Sequence, residues 1–292
     1  MDLTKYHTFH FIGIGGMGMR ALAVILLDKG DRISGSDVAD SPFLRDFRKK
    51  GAEIYIGHEA SHVRGADCVV ISSAISEENP ELVEARRLGI PVFHRSDVLA
   101  AMFHWGKGIA VAGAHGKSTT SAMVGQIFYE AGKDPTIVLG AAASYIGGNS
   151  CLGKGDYVIA EADESDGSFL KFSPYMTVVT NIEDDHLDHY GSVENIRRAF
   201  SEFISHICYE DGVAIVCTDS EGVCAILPEI HKTCITYGLN EKADYRAVNK
   251  RYENRHLLFD VVHEGKTLGT IELQIPGSHN IRDALGAVII GA

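Results

Sequence analysis

A glycine-rich turn at residues 111–120 constrains this chain more than any other stretch. It reads Val-Ala-Gly-Ala-His-Gly-Lys-Ser-Thr-Thr, follows an apolar run at 108–112 and precedes a helix-like segment at 118–130. A strand, a glycine-rich turn and a helix that begins with Lys-Ser are typical of a P-loop. The backbone N–H groups of such a turn and the positive end of the helix bind phosphate. We therefore expect ATP here, with Lys117 at its β- and γ-phosphates and the Ser118 hydroxyl on Mg²⁺.

The turn departs from the full P-loop pattern at one position, because Val111 stands where the pattern has its first glycine. What remains is the shorter Gly113-x-x-Gly116-Lys117-Ser118. The alternative is an ordinary turn between a strand and a helix that happens to contain glycine and lysine. The strand before the turn and the helix after it favour the nucleotide site.

Composition limits the class of protein. The chain has 292 residues, of which 45% are hydrophobic and 23% charged, and this length predicts two globular domains. No apolar run approaches the ~20 residues that a membrane-spanning helix needs, so we expect no membrane insertion. The net charge of −12 argues against a nucleic-acid partner. Cysteines without a Cys-x-x-Cys pair and a start without signal-peptide features are typical of a cytoplasmic protein.

A second glycine-rich turn lies near the N-terminus. A strand-like run at 7–14 leads into Gly-Ile-Gly-Gly-Met-Gly at 13–18, and a helix is predicted at 19–29. Asp37 follows the next strand, about 20 residues after the glycines, where a dinucleotide-binding fold has its acidic residue. Bound NAD is therefore an open alternative at this point. By itself the pattern predicts a phosphorylated ligand at the start of the helix.

Strands and helices alternate along the chain, which predicts an α/β fold with parallel sheets. We expect an N-terminal Rossmann-like domain at 1–105 and a central P-loop ATPase-type domain at 106–292. After the first helix, the first domain is predicted to contain strand 31–35, helix 41–50, strands 53–56 and 68–72, helix 80–88 and strand 92–94. The second is predicted to contain parallel strands at 108–112, 136–139, 157–160, 177–180 and 213–217, with helices at 118–130 and 193–207.

The pattern changes after about residue 232, where apolar and polar residues begin to alternate. This alternation predicts antiparallel hairpins that form an edge sheet of the second domain. The strands concerned are 234–237, 245–249, 257–263 and 269–275. A helix begins near His279, and its apolar face runs to the last residues, so we expect the protein to continue beyond residue 292.

Two acidic turns follow predicted strands of the second domain. Residues 161–166 read Glu-Ala-Asp-Glu-Ser-Asp, and residues 181–189 read Asn-Ile-Glu-Asp-Asp-His-Leu-Asp-His. Because adjacent parallel strands end at one crevice, we expect both turns to face the P-loop, where their oxygens suit Mg²⁺. The alternative is two solvated acidic loops. Taken singly, His115 and His189 are expected to be structural or substrate-orienting rather than metal ligands.

Several motifs occur in the order found in Mur ligases, and the chain resembles that family over essentially its whole length. They are the P-loop, the two acidic turns and Pro-Gly-Ser-His-Asn at 276–280. The Gly-Ile-Gly-Gly-Met-Gly-Met start and Ser-Ser-Ala-Ile at 72–75 most resemble the members that add L-alanine to UDP-N-acetylmuramate.

For the first domain, the resemblance implies a bound UDP-sugar in place of NAD. The glycine-rich turn would lie near the diphosphate, and Asp37 would lie near the uridine. The implied UDP-sugar-binding residues are Gly15, Gly16, Gly18, Asp37, Ser72 and Ser73.

For the second domain, the resemblance implies Lys117 on the ATP phosphates and two Mg²⁺ ions. Ser118 and Glu161 would hold one ion, and Glu161 and His186 the other, which makes Lys117, Glu161 and His186 the implied catalytic residues. The lactyl carboxylate of UDP-N-acetylmuramate would become an acyl phosphate, which the amine of L-alanine attacks. Cations are needed because this transfer brings two anions together. The implied ATP-binding residues are Gly113, His115, Gly116, Lys117, Ser118, Thr119 and Asn280, the last belonging to the loop that faces the base and ribose.

The chain departs from the family pattern in three respects. Ala114 and Ser118 stand where the family more often has threonine, and Ser118 keeps the hydroxyl. Asp283 stands where the pattern has a second asparagine, and a carboxylate cannot donate a hydrogen bond as an amide does. The family also has a C-terminal domain that binds the amino acid, which we expect to be absent from these residues.

Three other functions stay open. A ligase that attaches a recycled peptide to UDP-N-acetylmuramate shares many of the motifs. A paralogue could bind the nucleotide and the UDP-sugar without turnover. A dehydrogenase would use the N-terminal turn for NAD.

Overall fold

A computed structural model describes residues 2–291. By its contacts the chain divides into two compact units. The first contains the described residues up to His104 together with Thr136–Gly153, and the second contains Trp105–Pro135 and the described residues from Lys154 onward. The division at 104/105 lies beside the predicted boundary at 105/106. Residues 136–153, which the prediction assigned to the second domain, pack with the first unit, and the assignment of ligands to domains stays a prediction.

The first unit contains a five-stranded sheet in which every neighbouring pair is parallel. Its order, β3-β2-β1-β4-β5, places β1 in the centre, with the chain moving outward in opposite directions from β1 and β4. The strands are β1 Thr8–Ile12, β2 Arg32–Asp37, β3 Glu53–Ile56, β4 Cys68–Ile71 and β5 Val92–His94. The helices are α1 Met17–Asp28, α2 Pro42–Lys49, α3 Pro80–Arg87 and α4 Arg95–Met102.

Local sequence explains where these helices begin. The Ser41 hydroxyl accepts a hydrogen bond from the Leu44 N–H at the start of α2, and Asn79 caps α3 in the same manner. Each cap is followed by proline at the first helical position, where the missing N–H costs nothing. Helix α1 instead has Gly16 as its N-cap residue, which has no side chain that could cap the helix. The N-cap residue therefore leaves the N–H groups of the first turn unoccupied.

The remainder of the chain contains ten strands and five α-helices within the described residues. The strands are β6 Lys107–Ala112, β7 Thr136–Ala143, β8 Gly148–Cys151, β9 Tyr157–Glu161, β10 Met176–Val179, β11 Val213–Cys217, β12 Cys234–Gly238, β13 Tyr245–Glu253, β14 His256–His263 and β15 Lys266–Leu273. The helices are α5 Lys117–Glu130, α6 Leu187–Tyr190, α7 Val193–Ser205, α8 Glu221–Ile226 and α9 Asn280–Gly291.

In the second unit, eight strands run in the order β15-β14-β13-β12-β11-β10-β6-β9. From β13 to β9 every neighbouring pair is parallel, whereas β13, β14 and β15 are joined by antiparallel pairing. Helices α5 and α9 pack against this sheet with fully buried Val124 and Leu285. Each such side chain contributes roughly 1.5–3 kcal/mol by leaving water. The predicted α/β class with an antiparallel edge is confirmed.

The structure adds one antiparallel pairing that was not predicted and shows that one predicted pairing is wrong. The strand predicted to be parallel at 136–139 is longer, and as β7 it pairs antiparallel with β8, a polar Gly-Asn-Ser-Cys strand that hydrophobic patterning missed. The segment 234–237, predicted to be antiparallel, pairs parallel with both of its neighbours as β12. Alternation reports a half-buried strand but not the direction of its neighbours, which depends on the connecting chain.

The β7–β8 hairpin is fixed to the first unit through Asn149. Its Nδ2 donates hydrogen bonds to the Met17 carbonyl and to the Leu139 carbonyl, each at 3.1 Å. The side chain is almost fully buried, so these bonds replace water that it has lost.

Within residues 2–291, no helix combines the length and the apolar character needed to cross a lipid bilayer.

Candidate active site

The P-loop occupies the carboxyl end of β6, a central strand with β9 and β10 as its parallel neighbours. Gly113 has φ 137° and Gly116 has φ 83°, so both lie in the region that favours glycine. A Cβ atom at Gly113 would lie 2.2 Å from the Thr180 Oγ1. The turn therefore depends on these two glycines for its path.

Residues at the end of β10 hold the turn in place. The Thr180 hydroxyl donates to the His115 carbonyl at 2.6 Å, and the Asn181 Nδ2 donates to the same carbonyl at 2.8 Å. The His115 N–H in turn donates to the Asn181 Oδ1 at 2.9 Å. Thr180 was not singled out in the sequence, since a threonine at the end of an apolar strand carries no distinguishing signal.

Lys117, the first residue of α5, pairs with a buried carboxylate. Its Nζ donates to the Glu164 Oε1 at 2.9 Å and to the Gly113 carbonyl at 2.6 Å. The Glu164 side chain is 4% exposed, and its burial raises the pKa of the carboxyl group although Lys117 lowers it. The Glu164 Oε2 is buried and has no hydrogen-bond partner among residues 2–291. The sequence motif contains Glu164 but did not mark it as the partner of Lys117.

The predicted metal ligands fall into two groups. The Ser118 hydroxyl donates a hydrogen bond to the Glu161 Oε2 at 3.1 Å, and their predicted role in holding the first ion stays a prediction. The His186 Nε2 lies 3.8 Å from the Glu164 Oε1 and 3.7 Å from the Asp185 Oδ2. His186 is therefore beside Glu164, and its predicted pairing with Glu161 on a second ion stays a prediction.

The oxygen donors at this site suit Mg²⁺. The described residues contain no group of three or more His, Cys, Asp or Glu side chains arranged around an ion. Mg²⁺ usually takes one or two carboxylates and completes its shell with water and substrate phosphates. The Ser118–Glu161 pair at the end of the P-loop, with the unpartnered Glu164 Oε2 at the same strand ends, fits that requirement.

A cavity of about 650 Å³ opens beside the P-loop. Its walls include the residues His115, Gly116, Asp219, His279, Arg282 and Asp283. Asn280 is predicted to belong to the loop that faces the base and ribose. Its Nδ2 donates to the Pro276 carbonyl at 2.5 Å, and its neighbours His279 and Asp283 line the cavity. Thr119 lies in the first turn of α5 and is half-buried.

In the first unit, the N-terminal glycine turn lies at the carboxyl end of β1, next to β4. This is the point where the strand order reverses, which is where open α/β sheets bind ligands. The N–H groups of Gly13 and Ile14 donate to the Ser36 carbonyl at 2.8 and 3.0 Å. The Gly15 N–H donates to the Asp37 Oδ2 at 2.8 Å, so Asp37 supports the turn directly.

The other predicted UDP-sugar residues lie around the same strand ends. Ser72 and Ser73 follow β4, and the Ser73 hydroxyl lies 3.3 Å from the His94 Nε2. Gly18 lies in the first turn of α1, where a Cβ atom would be 3.4 Å from the Arg95 Nη1. A larger residue at Gly18 would press on this arginine.

A buried carboxylate, Glu81 at the start of α3, connects the strands of the first unit. Its oxygens lie 2.5 Å from the Ser36 Oγ, 2.7 Å from the His62 Nδ1 and 3.4 Å from the nitrogens of His10 and His58. The side chain is fully buried, which raises its pKa, but hydrogen bonds from His10, Ser36 and His62 outweigh burial and lower the pKa to about 2. Sequence analysis missed this cluster because its members are far apart along the chain.

Two family descriptions match the chain. The Mur ligase middle domain matches residues 111–291, and the Mur ligase family catalytic domain matches residues 8–104. The chain belongs to the Mur ligase family. The resemblance seen in the sequence motifs is thereby confirmed.

Among Mur ligases, the chain is similar to proteins named UDP-N-acetylmuramate–L-alanine ligase. It is 47% identical to one from Hydrogenobaculum sp. over 98% of this chain, and 48% identical to one from Pelotomaculum thermopropionicum over 99%. The chain spans 63% of the length of each. The crystal structure of the Thermotoga maritima UDP-N-acetylmuramate–alanine ligase superposes with a TM-score of 0.86 and 30% identity, covering 97% of this chain and 64% of that one.

A peptide ligase shares the fold. The Neisseria meningitides UDP-N-acetylmuramate:L-alanyl-gamma-D-glutamyl-meso-diaminopimelate ligase superposes with a TM-score of 0.87, over 97% of this chain and 92% of that one. Its sequence identity is 24%, so this likeness is one of fold alone.

Proposed function

We propose that these residues bind two of the three substrates in the ATP-dependent ligation of L-alanine to UDP-N-acetylmuramate. The observation that carries the proposal is the placement of Lys117, Ser118 and Glu161 at the carboxyl ends of the adjacent parallel strands β6 and β9. We take the proposed amino acid and sugar nucleotide from the names of relatives that are 47–48% identical to this chain. We also expect the protein to act in the cytoplasm, without nucleic acid or membrane insertion.

The P-loop is the proposed ATP site. The N-terminus of α5 and the backbone of residues 113–116 would cradle the phosphates, and Lys117 would exchange its bond to Glu164 for one to the γ-phosphate. The cavity beside Gly116 has room for the base and ribose. The Asn280 side chain donates a hydrogen bond to the Pro276 carbonyl, and it would support the loop that forms this wall of the cavity.

The turn at 13–18 is the proposed UDP-sugar site. Its N–H groups and the N-terminus of α1 would meet the diphosphate, and Asp37 would contact the uridine while it supports Gly15. Ser72 and Ser73 would complete the site from the end of β4.

The proposed reaction has two steps. An oxygen of the lactyl carboxylate bonds to the γ-phosphorus of ATP as the bond to the β-γ bridging oxygen breaks, which gives an acyl phosphate and ADP. The amine of L-alanine then attacks the acyl carbon, loses a proton and expels phosphate, which leaves an amide. Lys117 would offset the negative charge that gathers on the transferring phosphoryl group.

Mg²⁺ would be held by Ser118 and Glu161, and bound there it would neutralise charge on the β- and γ-phosphates. His186 and Glu164 would orient groups at the same edge of the sheet. Glu161 and His186 would hold a second ion.

Calorimetric titration tests the proposal. We expect the purified chain to bind UDP-N-acetylmuramate in one experiment and Mg-ATP in another, each with one site. A chain that binds NAD and neither of these ligands would support the dehydrogenase alternative instead.

Gly16→Val is expected to abolish UDP-N-acetylmuramate binding and to leave Mg-ATP binding unchanged. A Cβ atom at Gly16 would lie 3.4 Å from the Gly13 carbonyl oxygen, so the turn itself can accept the change. The branched side chain would occupy the space that a diphosphate needs at the start of α1. Titration calorimetry measures both affinities.

The matched control is Gly148→Val, at a glycine in the same unit with open space around its Cβ position. It should bind the UDP-sugar normally. Normal UDP-sugar binding by Gly16→Val would mean that the diphosphate lies elsewhere.

Glu161→Gln is expected to weaken ATP binding about tenfold in the presence of Mg²⁺ and to change it little in EDTA, because the charged metal ligand is lost and the P-loop remains. The measurement is the Kd for ATP with and without Mg²⁺. If the Mg²⁺ dependence were unchanged in Glu161→Gln and lost in Glu164→Gln, Glu164 would be the metal ligand.

A further inference from the structure

The carboxyl group of Asp283 lies against the phosphate-binding turn. Asp283 is in the first turn of α9, and a Cβ atom built on Gly116 would be 2.4 Å from its Oδ1. The residue is 6% exposed and forms part of the wall of the 650 Å³ cavity next to Gly116. An acidic group is thus built into a site whose proposed ligand is a polyanion.

An ionised carboxylate in this position would oppose the nucleotide. Two negative charges a few ångströms apart repel, and the repulsion is strongest where water is excluded. A protonated carboxyl group has no charge and can donate one hydrogen bond to a phosphate, ribose or base acceptor. The asparagine of the Mur ligase pattern is uncharged at every pH. A negative charge at this position, and its repulsion of the nucleotide, therefore comes from the aspartate of this chain.

The surroundings of Asp283 favour the uncharged form. Burial raises the pKa of its carboxyl group to about 6, although His279 just before α9, Arg282 on α9 and the Thr120 hydroxyl on α5 lower it. From the neighbouring strands it faces Cys217 and Tyr237, whose pKa values are raised by burial to about 11 and well above 10, so both stay neutral near pH 7.

Other charged groups line the cavity from the P-loop, from the loops after β10 and β11, and from α7 and α8. They are His115, Glu183, Asp184, Arg197, Asp219 and Glu221. The acidic members add to the repulsion that a nucleotide would meet. His115 and His279 also line this cavity, so the experiment must separate their effect from that of Asp283.

We propose that Asp283 controls the affinity of the nucleotide site, and that Mg-ATP binds to the form of the protein in which this carboxyl group carries a proton. The proposal rests on the proposed ATP site. It makes nucleotide binding a proton-linked step: each Mg-ATP bound above about pH 6 takes up one proton at Asp283. Binding would weaken as the pH rises, even though the P-loop itself is unchanged.

The experiment is titration of wild-type protein and Asp283→Asn with Mg-ATP at several pH values. Because the apparent Kd is the intrinsic Kd divided by the competent fraction, the wild-type Kd should rise about 50-fold from about pH 6 to about pH 8. Asp283→Asn keeps His115 and His279 but cannot ionise, so its Kd should change less than about threefold over the same range. Buffers of different ionisation enthalpy would report the proton uptake directly.

Two further variants make the result decisive. Asp283→Ser is a second uncharged replacement, in case the amide does not fit. Glu241→Gln removes one exposed negative charge at a residue that does not line the cavity and should keep the wild-type pH dependence. Circular dichroism confirms that each variant is folded.

The outcomes distinguish this inference from the function on which it rests. A wild-type Kd that stays constant from about pH 6 to about pH 8, or an Asp283→Asn variant that binds more weakly than wild type at the higher pH, overturns the role of Asp283 while the ATP site stands. Failure of wild-type protein and both Asp283 variants to bind Mg-ATP at every pH overturns the ATP site itself.

Discussion

Lys117→Met is expected to weaken Mg-ATP binding by about 10- to 150-fold and to remove phosphoryl transfer. The lost group is a charge-assisted donor worth about 1.5–3 kcal/mol, and methionine keeps most of its length without the charge. The bond from Lys117 to the Gly113 carbonyl is lost, but Thr180 and Asn181 still hold the His115 backbone, so the turn should keep its shape. The measurements are the Kd for Mg-ATP by calorimetry and the release of ADP.

The same substitution should also destabilise the fold, because Glu164 loses the cation that compensates its buried charge. Breaking a buried pair from one side typically costs about 3–5 kcal/mol. Burial already raises the pKa of Glu164, and without Lys117 it should rise further, so the loss of stability should be small at low pH and grow as the pH increases. Urea unfolding at several pH values measures this.

A double variant separates the two effects. Lys117→Met combined with Glu164→Gln leaves no buried charge, so stability should return while ATP binding stays weak. Lys133→Met, at an exposed lysine beyond the end of α5, is the matched control and should change neither quantity. Equal ATP affinity in Lys117→Met and wild type would refute the assignment of the P-loop.

Glu81→Ala is expected to destabilise the protein by about 3–5 kcal/mol, because it leaves the Ser36 hydroxyl and the imidazoles of His10 and His62 buried without their acceptor. Ser36 also accepts the hydrogen bonds of Gly13 and Ile14, so UDP-N-acetylmuramate affinity should fall with it. Urea unfolding and calorimetry measure the two effects. The control is Glu78→Ala, at an exposed carboxylate in the loop before α3, which should stay within about 0.5 kcal/mol of wild type.

The pH dependence of this effect follows from the lowered pKa of Glu81. A carboxyl group whose pKa is lower in the folded than in the unfolded protein stabilises the fold above its unfolded value. That contribution is lost as the pH falls from about 4.5 towards about 2. At one pKa unit per 1.36 kcal/mol it amounts to about 3 kcal/mol. Wild type and Glu81→Ala should therefore converge in stability in acid, and a constant difference down to about pH 2 would contradict the assignment.

The sequence by itself determined the family, the α/β class and the two glycine-rich turns. These features are local: a turn such as Gly113-x-x-Gly116-Lys117 needs its positive φ values and its flanking strand and helix within about twenty residues. The acidic turns could also be placed at the P-loop from the sequence. Adjacent parallel strands end at the same edge, and β9 and β10 are the neighbours of β6.

The hydrophobic pattern of the sequence could not determine the direction in which strands pair. The polar strand β8 carries no apolar alternation, and β12 alternates although both of its neighbours are parallel to it. Hydrophobic period reports which face of a strand is buried. It says nothing of the order and direction in which strands associate, which depend on the length and path of the connections.

Only the tertiary structure decided which groups lie next to the buried carboxylates. Lys117 and Glu164 are 47 residues apart, Ser36 and Glu81 are 45 apart, and Gly116 and Asp283 come together from opposite ends of the second unit. Each of these pairs depends on burial, because a carboxylate that has lost water must find a donor, a cation or a proton. Burial of a particular residue is a property of the packed fold, and no spacing along the chain encodes it.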